Sequence, residues 1–159
     1  LVKEHPLEER TAKLLAEHDL QLAVAESCSG GLIASRITNV PGTSLYFMGG
    51  VVAYSNGVKT RILGVDQAVI DSVGAVSEEV ARQMAEGVRD LMGAGVSVGV
   101  TGIAGPSGGT EEKPVGLVYI AVADSSGTTV SRELFAGDRL EIKQKTADRA
   151  FEMILESIE

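Results

Sequence analysis

The chain has 159 residues but only two histidines, one cysteine and no tryptophan. Each shortage removes a class of explanation. A lone Cys28 forms no internal disulfide and builds no thiolate metal cage, which leads us to expect a cytoplasmic protein. His5 and His18 both lie near the N-terminus, away from other polar clusters. A hydrolase of this sequence should therefore take its base from Lys, Tyr or a carboxylate. No apolar run approaches the ~20 residues that span a bilayer, so no membrane partner is expected. No basic-then-apolar leader opens the chain. It begins on Leu1, without an initiator Met, the mark of a processed, trimmed or excised end. Three Tyr, three Phe and a net charge of −8 leave few stacking groups and the wrong sign of charge, so direct nucleic-acid binding is not expected.

What the chain does have is glycine, 19 in all, and enough apolar sequence for one domain with a true core. We read residues 1–159 as a single domain, with 1–6 as a polar tail. Leu7, Leu14, Leu15 and His18 predict a helix over 7–18. Gln21 to Ala25 reads as a buried strand and Leu32 to Ile37 as a helix, stopped by Asn39-Val40-Pro41-Gly42. Thr43 to Met48 fits either state. Gly49 to Tyr54 reads as a strand, and Ser55 could cap a helix that passes Lys59 and closes at Gly64. A short helical piece follows over 66–72. Ser77-Glu78-Glu79 opens a long helix whose predicted buried stripe is Val80, Met84, Val88 and Leu91. Strands are expected over 96–101, 117–123 and 128–135, the last nearer an edge. A final helix after Gly137-Asp138-Arg139 carries Ala147, Phe151, Ile154, Leu155 and Ile158 on one face. This order predicts an α/β fold with a mixed sheet between helical layers.

Polar groups gather at three strand ends. The first is Glu26-Ser27-Cys28-Ser29-Gly30-Gly31, where a strand turns into a helix. Free N–H groups at a helix start would lie beside a nucleophilic hydroxyl, and those of Ser29, Gly30 and Gly31 could stabilise an oxyanion. Equally, Ser27 or Ser29 could only cap the helix. The second end is Tyr54-Ser55-Asn56, with Lys59 one turn on. The third is Thr101 and the loop Gly102-Ile103-Ala104-Gly105-Pro106-Ser107-Gly108-Gly109, which is neither a Walker loop nor G-x-G-x-x-G. If the three strands are parallel neighbours, all three ends face one crevice. A Ser with a neutral Lys is a nucleophile and its base. A solvated helix Lys is the plainer reading of Lys59, a strand-end core residue that of Tyr54, and a surface Arg that of Arg139. Cys28 has no His to activate it and reads as a small packed residue.

These motifs, with Leu63-Gly64-Val65, Gly74-Ala75-Val76-Ser77-Glu78, Lys113-Pro114-Val115-Gly116 and Gly137-Asp138-Arg139, resemble the CinA C-terminal domain family over essentially the whole chain. The resemblance implies a three-layer α/β/α sandwich with a largely parallel central sheet. It implies a metal-free, cofactor-free amidase of the PncC type, which converts nicotinamide mononucleotide to nicotinate mononucleotide and ammonia in pyridine-nucleotide recycling. By motif position Ser27 matches the nucleophile and Lys59 the base. Tyr54, Thr101 and Arg139 match pocket residues, with Ser29, Gly30, Gly31, Asn56, Gly102 and Gly105 in the adjoining motifs. Ser29 stands where Thr is commoner in the family. The implied partners are a small nucleotide substrate and a second copy of the chain, a homodimer. The alternative is a non-catalytic, competence-associated nucleotide-binding protein.

Overall fold

The computed structural model describes residues 5–159. Three helices form one layer: α1 (Leu7–Glu17), α2 (Leu32–Thr38) and α6 (Arg139–Ile158). Three form the other: α3 (Asn56–Arg61), α4 (Gln67–Val73) and α5 (Glu78–Met92). Between them lies a five-stranded sheet of β1 (Leu22–Glu26), β2 (Phe47–Val52), β3 (Val96–Gly102), β4 (Leu117–Asp124) and β5 (Gly127–Leu134). Its order is β2-β1-β3-β4-β5. β2, β1 and β3 are parallel neighbours, while β4 runs against both β3 and β5. The three-layer α/β/α arrangement with a mixed, mostly parallel sheet is as expected, and β5 does lie at an edge. The stretch that fitted either state splits into a 3₁₀ turn (Thr43–Leu45) and the start of β2. β2 therefore begins and ends two residues earlier than the sequence suggests, and Tyr54 lies beyond it.

Alternation along the strands divides the core in two. Leu22, Val24, Val96, Val98 and Val100 pack with α1, α2 and α6. Ala23 and Ala25 turn the other way, toward Val80, Met84 and Val88 of α5. Side chains on this second face are small because α5 rides close to the sheet. A Cβ on Gly99 would stand 2.5 Å from the Ala85 nitrogen and 2.6 Å from the Ala81 carbonyl oxygen, so any larger residue there would push the helix away. The α5 stripe corrects one expectation. It advances in steps of four, through Val80, Met84 and Val88 to the partly buried Met92, leaving Leu91 54% exposed.

Helix ends follow local chemistry. Ser55, Asp66 and Ser77 accept N–H groups of α3, α4 and α5, worth about 1 kcal/mol each. Asp138 and Glu141 form a reciprocal capping box on α6. On the first layer, the Arg36 guanidinium donates to Glu8 at 2.9 Å and Asp148 at 2.7 Å, tying α2 to α1 and α6. It also lies 5.1 Å from the centre of the Phe151 ring. Burial works against this charge, but the bonds to Glu8 and Asp148 outweigh it and hold Arg36 above the usual arginine range. His5, Glu9 and Lys13 near the start of α1 share one surface hollow with Leu155 and Glu159 at the end of α6. Among the described residues no helix is long and apolar enough to cross a membrane.

Candidate active site

The parallel register pairs Glu26 with Val52 on one side and Val100 on the other. The three strands thus run out at one level, and the residues that follow them emerge together. They open onto a cleft of about 180 Å³ bordered by Ser27, Cys28, Tyr54, Asn56, Lys59, Thr101, Gly102 and Arg139, with Ala75, Val76 and Ala104. No carboxylate borders it, although the chain carries 22.

Lys59 is the decisive side chain. It lies on the inner face of α3 and is only 2% exposed, so the solvated reading fails. Its Nζ lies 3.0 Å from Ser27 Oγ, 2.9 Å from the Ala53 carbonyl oxygen and 3.2 Å from the Tyr54 carbonyl oxygen. No carboxylate is among its partners. Burial therefore lowers its pKa, opposed only by the neighbouring Cys28. A neutral amine has two N–H donors and one lone pair. The two carbonyls can take the donors, which leaves the lone pair for the Ser27 proton. Cys28, beside it, is buried, and burial pushes its thiol up to about 12. It stays protonated and is no nucleophile, as its surroundings in sequence suggested.

The turn that holds Ser27 differs from expectation. Neither Ser27 nor Ser29 caps α2. Glu26, fully buried, reaches past the turn and accepts the Ile33 N–H on Oε1 at 2.9 Å and the Ala34 N–H on Oε2 at 3.1 Å. The helix start is thus filled by the chain's own carboxylate and is not open to a ligand. Of the expected oxyanion donors, the Gly30 N–H is already given to the Ser27 carbonyl at 3.1 Å. Ser29 is buried with an unpartnered Oγ, and Gly31 leads into α2. Ser29, Gly30 and Gly31 do not border the cleft. The Ser27 N–H continues the sheet by donating to Val100 at 3.1 Å. Next to Ser27, the Cys28 N–H has no backbone acceptor among the described residues.

Thr101 Oγ1 donates to the Ala75 carbonyl at 2.8 Å and fixes the far wall. At the rim Arg139 donates through Nη1 to the Gly105 carbonyl at 2.6 Å and through Nη2 to Tyr54 Oη at 3.1 Å. Tyr54 is 63% exposed, a rim residue and not a core one. Gly105 acts through that carbonyl and does not border the cleft, whereas Asn56 and Gly102 do. Sequence reasoning missed Glu26, Ala75 and Val76. A carboxylate closing an apolar strand seven residues before a helical N–H was the available signal for Glu26. Ala75 and Val76 stood in one of the motifs that carry the resemblance, but their place at the cleft depends on position and has no side-chain chemistry to announce it.

Comparison with known proteins agrees with this fold. The family model described as the CinA C-terminal domain matches residues 4–158. A CinA-like protein of Geotalea uraniireducens is 52% identical over 143 residues, 90% of this chain and 34% of the relative's length. Another, of Acidobacterium capsulatum, is 51% identical over 148 residues, 93% of this chain and 36% of its own. The chain thus spans about a third of these relatives. The crystal structure of the competence/damage inducible protein CihA from Agrobacterium tumefaciens superposes with a TM-score of 0.92 at 37% identity, covering 99% of both chains. With the family model, the relatives and the fold in agreement, this chain belongs to the CinA C-terminal domain family.

Proposed function

We propose that the chain is an amidohydrolase acting on the carboxamide of nicotinamide mononucleotide, with Ser27 as nucleophile and Lys59 as its base. The observation that carries this reading is the buried Lys59 amine, 3.0 Å from Ser27 Oγ and with no counter-charge. Neutral Lys59 takes the Ser27 proton as Oγ adds to the carboxamide carbon. The tetrahedral intermediate collapses, the C–N bond breaks, and Lys59 passes its proton to the leaving ammonia. Water, giving a proton to Lys59, then adds to the acyl ester, and the Ser27 C–O bond breaks as Lys59 returns that proton to Oγ, which releases nicotinate mononucleotide. The unused Cys28 N–H is the available donor to the oxyanion, in place of the expected glycines. An uncharged Lys59 also avoids repelling the pyridinium ring, and an acid-free wall avoids repelling the phosphate.

The test is ammonia release from nicotinamide mononucleotide by the purified chain, with and without a chelator. Ser27→Ala should abolish release while still binding the nucleotide. A folded wild-type chain that binds the nucleotide but releases nothing overturns the amidase reading in favour of a binding protein.

A further inference from the structure

Two of the motifs that carry the family resemblance have no place yet in the chemistry, Gly74-Ala75-Val76-Ser77-Glu78 and Lys113-Pro114-Val115-Gly116. The structure brings them together behind the far wall of the cleft. Where α4 gives way to α5, three successive carbonyls are each taken by a side chain from a different part of the chain. Lys113 Nζ, from the loop between β3 and β4, donates to the Val73 carbonyl. Ser77 Oγ, at the start of α5, donates to that of Gly74 at 2.9 Å. Thr101 Oγ1, near the end of β3, donates to that of Ala75 at 2.8 Å. Ala75 and Val76 border the cleft, and with Cys28 and Ala104 they supply its apolar side chains.

Lys113 is fitted to this contact from both sides. The Val73 carbonyl ends α4, where it lacks an intrahelical donor and suits an ammonium. A Cβ on Gly74 would stand 2.9 Å from Nζ, so only glycine leaves the ammonium its place. In its own loop the Lys113 N–H donates to Thr110 Oγ1 at 3.0 Å, and its carbonyl accepts the Thr110 N–H at 2.8 Å. The same loop borders the cleft at Ala104 and holds Arg139 through the Gly105 carbonyl. One loop thus grips the rim at one point and the far wall at another.

We propose that Lys113 is a positioning residue for the cleft. It does not border the cleft itself. It holds the Val73 carbonyl, and so fixes the depth at which Ala75 and Val76 stand. Resting on the function proposed above, this wall packs the flat face of the pyridinium ring and sets the carboxamide at Ser27. Lys113 governs how the ring sits, while the carbonyls of Ala53 and Tyr54 hold Lys59 independently.

Lys113→Met and Lys113→Arg test this by three readouts. The first needs no turnover: the Val76 amide resonance should move in the Met variant and return toward its wild-type position in the Arg variant. An unmoved resonance overturns the tether. In the second, kcat/KM for nicotinamide mononucleotide should fall about tenfold in the Met variant and recover to within about twofold in the Arg variant. The third is sulfonylation of Ser27 by methanesulfonyl fluoride, a ringless reagent that bonds its sulfur to Oγ and loses fluoride. Its rate should stay at the wild-type value in both variants. A lower melting temperature with unchanged kcat/KM would make Lys113 a helix cap only and overturn the proposal. An equal fall in sulfonylation would place the damage at the dyad and overturn it too. If the wild type binds the nucleotide without releasing ammonia, the amidase reading fails and Kd is compared instead. A Kd about tenfold weaker in the Met variant then upholds the positioning role, and an unchanged Kd overturns it. A wild type that neither binds nor hydrolyses the nucleotide overturns both.

Discussion

Arg36 and Lys59 are both cations removed from most solvent, and their surroundings are opposite. Arg36 lies by an aromatic ring and has two carboxylates, and the carboxylates overcome burial to strengthen its charge. Lys59 has two carbonyls and a serine hydroxyl, and burial weakens its charge. Both residues tie elements together, but only one has its ionisation shifted toward the neutral form. A cation with counter-charges holds helices, whereas one without them is ready to exchange a proton. The contrast separates a cation that ties helices together from the proposed base more sharply than burial alone.

The largest expected effect tests the reactive side. Lys59→Ala should lower kcat/KM for the amide about a thousandfold, with circular dichroism still showing a folded chain. Turnover near wild type would break the contrast. Glu26→Gln comes next. The amide keeps one acceptor oxygen but turns an N–H₂ toward an N–H of α2, so the Ser27 turn loosens. We expect kcat to fall about tenfold with KM little changed, since 1 Å of misplacement can cost that much or more. An effect on melting temperature alone would reduce Glu26 to a helix cap. On the structural side, Arg36→Ala should cost about 2 kcal/mol, or about 4–8 °C in melting temperature, with kcat/KM within about twofold. A large loss of activity there would erase the division.

The smallest effect is in pH dependence. Lys59 has a folded-state pKa below its unfolded value of about 10.4. Below the folded value both states are protonated, and the penalty for burying the charge is fully present. Between the two values the unfolded chain binds more protons, so stability rises with pH across that window. Subtracting the stability curve of Lys59→Met from that of the wild type should isolate this rise. The rate of ammonia release should climb over the lower part of the same window. A flat difference curve would mean that Lys59 titrates normally.

The elements and their order were legible because alternation and helix breakers are local signals. Convergence of three strand ends was legible only as a condition, that the strands be parallel neighbours, which pairing alone could satisfy. Ser27 and Lys59 were named from motif position. The burial of Lys59 depends on the carbonyls of Ala53 and Tyr54, which carry no side-chain signature. The turn misled because a helix start was taken to be vacant, when the carboxylate of Glu26, one residue before Ser27, already filled it. Leu91 misled for a smaller reason, a choice between steps of three and four that only packing makes.

Arg139, at one end of a 20-residue helix, borders the cleft, and the other end of that helix meets the start of α1. Twenty helical residues rise about 30 Å. A tag, a surface tether or a fused protein joined after Glu159 would therefore hang well clear of the cleft. His5 and Glu159, which border the same hollow, could also be linked by a short spacer and the chain reopened at an exposed turn such as Ser125-Ser126. Such a circular permutant should keep its cleft, which makes this protein a convenient scaffold for immobilised or split-protein formats.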